Sequence, residues 1–292
     1  MTMRFEGSYV ALVTPMRDGA VDEDRLRALV DFQIDGGTDG LVPCGTTGES
    51  ATLTHAEHKR VVEVVLAQAR GRVPVLAGTG SNSTAEAVEL TQHAARAGAA
   101  GALVITPYYN KPSPEGLYRH FAAVAAVGLP VVVYNVPSRT GVDLKPDTME
   151  RLAALPAVTG IKEATADMDR AQQILERCGD RFTVLSGDDM TCLPLWACGA
   201  RGVISVTANV APAPMAACWD LFAAGKLDEA RAAHRALCPL HRAMFVETNP
   251  VPVKTALAMM GRCGDEVRPP LAPLTPASRE VLRQALGAAG LI

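Results

Sequence analysis

The chain has 292 residues, of which 48% are hydrophobic and 20% charged, and this balance excludes a disordered or collagen-like protein. The formal net charge is −3 and no lysine- or arginine-rich run occurs, so we predict no nucleic-acid partner. Seven cysteines lie far apart without a C-x-x-C pair, which indicates free thiols and no disulfide framework or zinc ribbon. The N-terminal residues lack the apolar segment of a signal peptide, and the longest uncharged stretch is broken by Gly128 and Pro130. We therefore expect a cytoplasmic protein with no membrane partner.

Eight short apolar runs, rich in valine, isoleucine and leucine, alternate with alanine-rich helical patterns along the chain. The runs begin near Ser8, Gly40, Val73, Gly101, Pro130, Val158, Phe182 and Gly202. Nearly continuous apolarity is typical of strands buried on both faces of a parallel sheet. Eight regular βα units predict an α/β fold of the (β/α)8 or TIM-barrel type. A doubly wound sheet is the alternative, but no dinucleotide-binding loop is present.

Local signals place several helix ends and one domain boundary. Thr54 to Glu57 and Ser83 to Glu86 both fit the S/T-x-x-E capping box. The eighth helix is expected to end near Gly225. The sequence thus predicts a catalytic barrel over residues 1–225 and a C-terminal helical domain over residues 226–292. We expect three helices in the latter, over Asp228–Cys238, Val253–Met260 and Ala277–Gly287.

In such barrels the active site lies at the carboxyl ends of the strands. The residues at those ends are mostly small, polar or aromatic, and they include three of the five tyrosines. They are residues 45–49 after strand two, 78–80 after strand three, 106–110 after strand four, 134–139 at strand five, 162–163 at strand six, 186–189 at strand seven and 205–207 at strand eight. None of these clusters has the ligand pattern of a metal site.

Of the six lysines, Lys162 is the one within a buried strand run. Burial lowers the pKa of an ammonium, and a partly neutral lysine can attack a carbonyl to form a Schiff base. The alternative is a structural ion pair with Glu163 or Asp188, although strand alternation points Glu163 to the opposite face. Lys254 opens an apolar helix, and we expect its ammonium to extend to solvent.

A Schiff-base enzyme also needs proton transfer and carboxylate recognition. Tyr134 lies one strand away and can serve as acid and base, through a hydroxyl relay with Thr46 and Tyr109. Thr46 and Thr47, in a glycine-flanked turn, suit a keto-acid carboxylate, and Arg139 suits a second carboxylate. Each residue also has an ordinary interpretation, as a packed barrel tyrosine, a simple turn or a solvated arginine.

Six motifs in this chain resemble those of the dihydrodipicolinate synthase family, within the pyruvate-dependent Schiff-base aldolases. They are GTTGES (45–50), TPYYNKP (106–112), YNVPSRTG (134–141), GIKEAT (160–165), SGDD (186–189) and NPVPVKTAL (249–257). The resemblance covers nearly the whole chain. GTTGE and the strand-six lysine mark the superfamily, whereas YNVPSRTG is narrower and favours the synthases. Ala166 stands where many members have glycine, and we expect little effect.

The resemblance implies that Lys162 forms an imine with pyruvate and that the derived enamine attacks L-aspartate-4-semialdehyde. It implies a proton relay of Tyr134, Thr46 and Tyr109, with Tyr109 donated across a tight dimer interface. Thr47 would bind the pyruvate carboxylate and Arg139 the semialdehyde carboxylate, with backbone carbonyls of Gly187 and Ile204 lining the pocket. It further implies a homotetramer, built as a dimer of dimers, and no metal or organic cofactor.

A regulatory site for L-lysine follows from the same resemblance. In lysine-inhibited members the inhibitor occupies a cleft at the dimer interface. The matching residues here are Ser50, Ala51, His55, His58, Asn82, Glu86 and Tyr108. We therefore expect inhibition by lysine, although the histidines read alone could be solvated helix residues.

Two further hypotheses remain open at this point. One keeps the imine chemistry but changes the acceptor, as in an N-acetylneuraminate lyase or a 2-keto-3-deoxy-sugar-acid aldolase. Arg139 disfavours it, because a polyol chain needs hydroxyl partners and not a cation. The other is a non-catalytic, metabolite-sensing barrel, which predicts that a member of the proton relay is missing, and none is.

Overall fold

The structure is a computed structural model, and it describes residues 4–179 and 182–292. All eight predicted strands are present and we number them β1 to β8. They are β1 Gly7–Ala11, β2 Gly40–Val42, β3 Leu76–Gly78, β4 Gly101–Ile105, β5 Val131–Asn135, β6 Val158–Glu163, β7 Thr183–Ser186 and β8 Gly202–Ser205. Their residues are buried almost throughout, as expected for strands covered on both faces.

The eight strands form one sheet in the order β2-β1-β8-β7-β6-β5-β4-β3. The pairings from β3 through β8 and between β1 and β2 are parallel. An isolated parallel bridge between Leu41 of β2 and Val75, next to β3, joins the two ends of this order. The predicted (β/α)8 barrel with a C-terminal helical appendage is therefore confirmed.

One strand pair was not predicted. Met16–Arg17 and Ala20–Val21 pair antiparallel after β1. The turn between them has Asp18 and Gly19 at positive φ, as a tight hairpin requires. Two-residue strands are too short to show an alternating pattern, which is why the sequence did not reveal them.

Helices alternate with the strands, and a further group follows β8. Their bounds are Glu23–Asp35, His55–Ala69, Thr84–Ala97, Pro114–Ala125, Pro137–Thr140, Pro146–Ala153, Met168–Cys178, Cys192–Ala197, a 3₁₀ turn at Thr207–Asn209, Pro212–Ala223, Leu227–Ala243, Val251–Met259 and Pro276–Ala288. The helix after β8 ends at Ala223, next to the predicted Gly225. The first appendage helix is five residues longer than predicted at its C-terminal end and includes Pro239 in its interior.

The two predicted capping boxes have different outcomes. Thr54 and Glu57 form a reciprocal box at the start of the helix His55–Ala69. The Ser83 prediction is wrong, because the side chain of Ser83 makes no capping hydrogen bond. Ser81 takes its place: its hydroxyl donates to Glu86 and accepts from the Ser83 amide at 3.0 Å.

The chain divides into two compact units. The first contains the described residues up to Gly7 together with Leu76–Ile204, and the second contains Ser8–Val75 and Ser205–Ile292. Each has its own core of valine, leucine and alanine side chains with few aromatic rings. None of the helices in the described ranges has the length and apolarity that a membrane crossing requires.

Candidate active site

Lys162 lies on β6 in the first unit, and its side chain is only 6% exposed. The pKa of its ammonium is lowered to about 8, chiefly by burial; the negative charge of Asp189 opposes this shift, and the positive charge of Arg139 adds to it. A lysine with a pKa near 8 has a substantial neutral fraction at physiological pH. The neutral amine is the form that attacks a carbonyl.

Tyr134 of β5 is paired in register with Lys162 of β6. The Nζ atom of Lys162 lies 4.3 Å from the centroid of the Tyr134 ring. At that distance the face of the ring stabilises a positive charge on the lysine. The phenol also stays close to a molecule that reacts with the Lys162 amine. Tyr134 is itself buried, with 7% of its surface exposed.

The structural ion-pair alternative for Lys162 is wrong in its choice of partners. The Glu163 carboxylate accepts from the Thr165 amide at 2.8 Å and from the Asn135 side chain at 3.3 Å. The Asp188 carboxylate accepts from the amide and hydroxyl of Thr191. The carboxylate that acts on Lys162 is that of Asp189, which is 2% exposed.

Gly187 follows β7, and its lack of a side chain gives Lys162 its space. A Cβ atom at this position would lie 3.1 Å from Cε of Lys162 and 2.6 Å from Cβ of Ala164. The Gly187 amide donates to the Glu163 carbonyl at 2.7 Å, which extends the β6–β7 pairing past the strand end. Any larger residue at position 187 would therefore displace the lysine or the backbone. Ile204, on β8, is 1% exposed.

A polar network behind this pair holds the ends of β5 and β6. Asn135 donates to Asp143 at 3.2 Å and to Glu163, and it accepts from the Leu144 amide. Arg170 binds Asp143 at 2.6 Å. Burial raises the pKa of the Glu163 carboxyl. Asn135 and Glu163 directly follow Tyr134 and Lys162, so the network fixes the backbone at both residues.

Two predicted residues of the first unit lie at its surface. Arg139 is exposed within the short helix Pro137–Thr140. Tyr109 is 88% exposed, with a positive φ of 73° and its amide 3.3 Å from the Thr140 carbonyl. A large aromatic side chain held outward in this way is available to another chain.

The turn that carries Thr46 and Thr47 lies in the second unit. Gly48 and Ser50 donate to the Gly45 carbonyl, and Glu49 has a positive φ of 56°. Thr46 is partly exposed and Thr47 is 3% exposed. The turn is thus tightly folded and presents Thr46 to its surroundings.

The appendage binds this turn through two side chains and one backbone amide. Nδ2 of Asn249 donates to Oγ1 of Thr47 at 3.0 Å. Nζ of Lys254 lies 2.5 Å from Oε1 of Glu49, and both side chains are almost fully buried. The expectation that Lys254 would reach solvent is wrong, because its ammonium is buried against Glu49. The sequence does not show this partner, which lies 205 residues away. The backbone amide of Arg268 also binds Glu49, since it donates to Oε2 at 3.1 Å.

The residues expected to bind L-lysine are divided between the units. Ser50, Ala51, His55 and His58 belong to the second unit, and Asn82, Glu86 and Tyr108 belong to the first. His58 is buried, whereas Ala51 and His55 are exposed. Asn82 and Glu86 both accept hydrogen bonds, from Asn110 and Ser81 respectively.

Three residues around these sites were given no role from the sequence. Asp189, Asn249 and Lys254 all lie in motifs that support the family resemblance, SGDD and NPVPVKTAL. Their place in shared motifs was a signal, but their contacts depend on segments that only the fold brings together. Among the described residues, no group of three or more His, Cys, Asp or Glu side chains is arranged to hold a metal ion.

Comparison with known proteins gives consistent results. The model of the dihydrodipicolinate synthetase family matches residues 4–289. The 4-hydroxy-tetrahydrodipicolinate synthase of Pelobacter propionicus is 57% identical over 289 residues, covering 99% of this chain and 100% of that protein. This similarity favours the synthase over the sugar-acid aldolases and the sensing barrel.

Two similar solved structures contain small molecules. The chloride-inhibited dihydrodipicolinate synthase from Acinetobacter baumannii, complexed with pyruvate, is 47% identical with a TM-score of 0.96, covering 98% of this chain and 99% of that one. The enzyme from Cyanidioschyzon merolae with lysine bound is 38% identical with a TM-score of 0.96, covering 99% of both chains.

Proposed function

We propose that this chain, which belongs to the dihydrodipicolinate synthetase family, catalyses the 4-hydroxy-tetrahydrodipicolinate synthase reaction. In that reaction pyruvate condenses with L-aspartate-4-semialdehyde. The observation that carries the proposal is Lys162, a buried strand lysine with its pKa lowered to about 8 beside the Tyr134 ring. The reaction is a lyase-type carbon–carbon bond formation through a Schiff base. It would serve lysine and diaminopimelate biosynthesis in the cytoplasm.

Lys162 acts as the nucleophile. Its neutral amine attacks the keto carbon of pyruvate, and water leaves as the imine forms. Loss of a methyl proton gives the enamine, whose carbon attacks the aldehyde carbon of the semialdehyde while the aldehyde oxygen takes up a proton. Attack of the acceptor's amine on the imine carbon then closes the ring and releases Lys162.

Tyr134 is the acid and base next to the amine, with Thr46 and Tyr109 as the other members of the relay. We propose that Tyr109 acts in a partner subunit of a homotetramer built as a dimer of dimers. The 88% exposure of this tyrosine in one chain supports donation to another. Its positive φ and its backbone bond to Thr140 support a fixed outward direction.

One hydroxyl group and one guanidinium group would bind the carboxylates of the two substrates. Thr47 would bind that of pyruvate, and Arg139 that of the semialdehyde, for which a guanidinium is suited because it can donate two parallel hydrogen bonds. Carbonyl groups of Gly187 and Ile204 would line the same pocket. Arg139 also favours imine formation, because its charge lowers the pKa of Lys162.

Inhibition by L-lysine is the proposed regulation. The carboxylate of Glu86 and the imidazoles of His55 and His58 can pair with the charged ends of an amino acid, with Ser50, Ala51, Asn82 and Tyr108 around them. Support comes from the lysine-bound relative and from the matching residues in this chain. Calorimetric titration with L-lysine tests the binding, with Glu86→Gln as the variant expected to abolish it.

A comparison of acceptors tests the function itself. The protein is supplied with pyruvate and either aspartate semialdehyde or N-acetylmannosamine, and pyruvate consumption is followed. We expect pyruvate to be consumed when the semialdehyde is the acceptor and not when N-acetylmannosamine is. Turnover with the sugar and none with the semialdehyde would contradict the proposal, and Arg139→Met should raise KM for the semialdehyde.

A further inference from the structure

Asn249 lies just before the helix Val251–Met259, and it is 5% exposed. Its side-chain amide donates to the hydroxyl oxygen of Thr47 at 3.0 Å, in a contact between residues 202 positions apart in the sequence. Thr47 is likewise buried. Two buried polar side chains so far apart in sequence meet here by virtue of the fold.

The direction of this hydrogen bond has a chemical consequence. A threonine hydroxyl has one proton to donate and two lone pairs that accept, whereas an amide nitrogen can only donate. Because the Asn249 nitrogen donates to Oγ1, the proton of Thr47 remains for an acceptor elsewhere. A carboxylate is an acceptor only, so it needs this form of the hydroxyl.

The turn around Thr47 is fixed from the same part of the chain. Lys254 lies four residues after Pro250, in the segment that begins with Asn249. Its ammonium binds Glu49, which lies two residues after Thr47. The Thr14 hydroxyl donates to the Gly48 carbonyl at 2.7 Å, which holds the residue between them. The backbone position of Thr47 is therefore set by Glu49 and Gly48, and its hydroxyl direction by Asn249.

We infer that Asn249 is a positioning residue that holds the Thr47 hydroxyl as a hydrogen-bond donor to the carboxylate of the keto acid. The inference rests on the proposed function, since it assumes that the keto acid is bound as an imine on Lys162. The chain of donors runs from the Asn249 amide to the Thr47 hydroxyl and on to the substrate carboxylate. Hydrogen bonds in such a chain polarise and strengthen one another.

The inference makes a demand that a merely structural role does not. Removal of the Asn249 amide should weaken binding of ketones that carry a carboxylate and leave uncharged ketones unaffected. The effect should also disappear when Thr47 has no hydroxyl, because the two residues act through one bond.

Borohydride trapping on Lys162 provides the test, with pyruvate and its methyl ester as the two ketones. Asn249→Ala is expected to raise the half-saturating pyruvate concentration about tenfold, as for loss of support to a charge-assisted hydrogen bond. The methyl ester should be trapped as in the wild type. In a Thr47→Val background, Asn249→Ala should not change the half-saturating pyruvate concentration any further. In a Thr47→Ser background, which keeps the hydroxyl, Asn249→Ala should still raise it.

Asn249→Leu provides a second variant, because leucine has the same branched arrangement of heavy atoms as asparagine and no donor, and thermal unfolding of both variants confirms that they fold. An equal loss for pyruvate and its ester, or a tenfold effect that persists in Thr47→Val, would overturn the inference. If the wild type itself gives no pyruvate adduct, the proposed function fails together with it. If the wild type is trapped and the Asn249 variants are unchanged, this inference alone fails.

Discussion

Nζ of Lys162 lies 4.3 Å from the centroid of the Tyr134 ring, and the two residues are direct neighbours in the β5–β6 register. The parallel pairing places both side chains at the same level of the barrel, so an amine and a phenol share one buried location. Burial supplies the lowered pKa of the lysine, and the ring face limits the cost of the charged form. This relationship explains why one of six lysines is suited to imine chemistry.

Imine formation should depend on pH through Lys162. With its pKa near 8, about a tenth of the amine is neutral at pH 7, and the neutral fraction rises as pH increases through 8. The rate of pyruvate trapping by borohydride, measured between pH 6 and 10, should therefore rise and level off above the pKa. A flat profile would contradict the assigned nucleophile.

Two variants should move that profile in opposite directions. Asp189 raises the pKa of Lys162 and Arg139 lowers it. Asp189→Asn should therefore shift the midpoint to lower pH, and Arg139→Met should shift it to higher pH. Shifts of the same sign in both variants would show that these charges do not act on Lys162 as described.

Gly187→Ala should impair catalysis because the added Cβ would lie 3.1 Å from Cε of Lys162. A displaced nucleophile loses its alignment with the substrate, and we expect kcat to fall by at least about tenfold. Gly287→Ala is the matched control, since a Cβ there meets nothing within 4 Å. Equal activity of the two variants would contradict the close packing at Gly187.

The buried pair of Lys254 and Glu49 predicts a strong effect on stability. Lys254→Met leaves the Glu49 carboxylate buried without its partner, which should lower the free energy of unfolding by about 3–5 kcal/mol. Urea denaturation measures the loss, and adding Glu49→Gln should recover part of it.

The control for that experiment is the exposed pair of Lys226 and Glu229, whose side chains are 57% and 60% exposed. Lys226→Met should cost about 1 kcal/mol or less. A loss in Lys254→Met no greater than this would show that the buried pair does not hold the turn.

Donation of Tyr109 across a dimer can be tested by mixing inactive subunits. In a mixed dimer of Tyr109→Phe and Lys162→Ala chains, one site has an intact lysine and receives an intact tyrosine from its partner. Random mixing should then restore roughly a quarter of the wild-type activity, since half the dimers are mixed and each has one complete site. No recovery would place Tyr109 in the site of its own chain.

Most of the architecture could be predicted because its signals are local. Each barrel strand is an unbroken apolar run, and Lys162 was conspicuous as a lysine within one. The remainder depended on distant partners. The pattern around Lys254 is that of a lysine at the start of an apolar helix, and nothing nearby reveals Glu49. The failed cap at Ser83 has the same origin on a smaller scale, because Ser81 competes successfully for Glu86.

Borohydride reduction in the presence of pyruvate, followed by peptide mapping, tests the central claim most directly. Reduction of the imine leaves a stable secondary amine on the reacting lysine. We predict one adduct, on Lys162, and none in Lys162→Ala, while Lys254 stays unmodified within its buried ion pair. An adduct on another lysine, or no adduct at saturating pyruvate, would contradict the account.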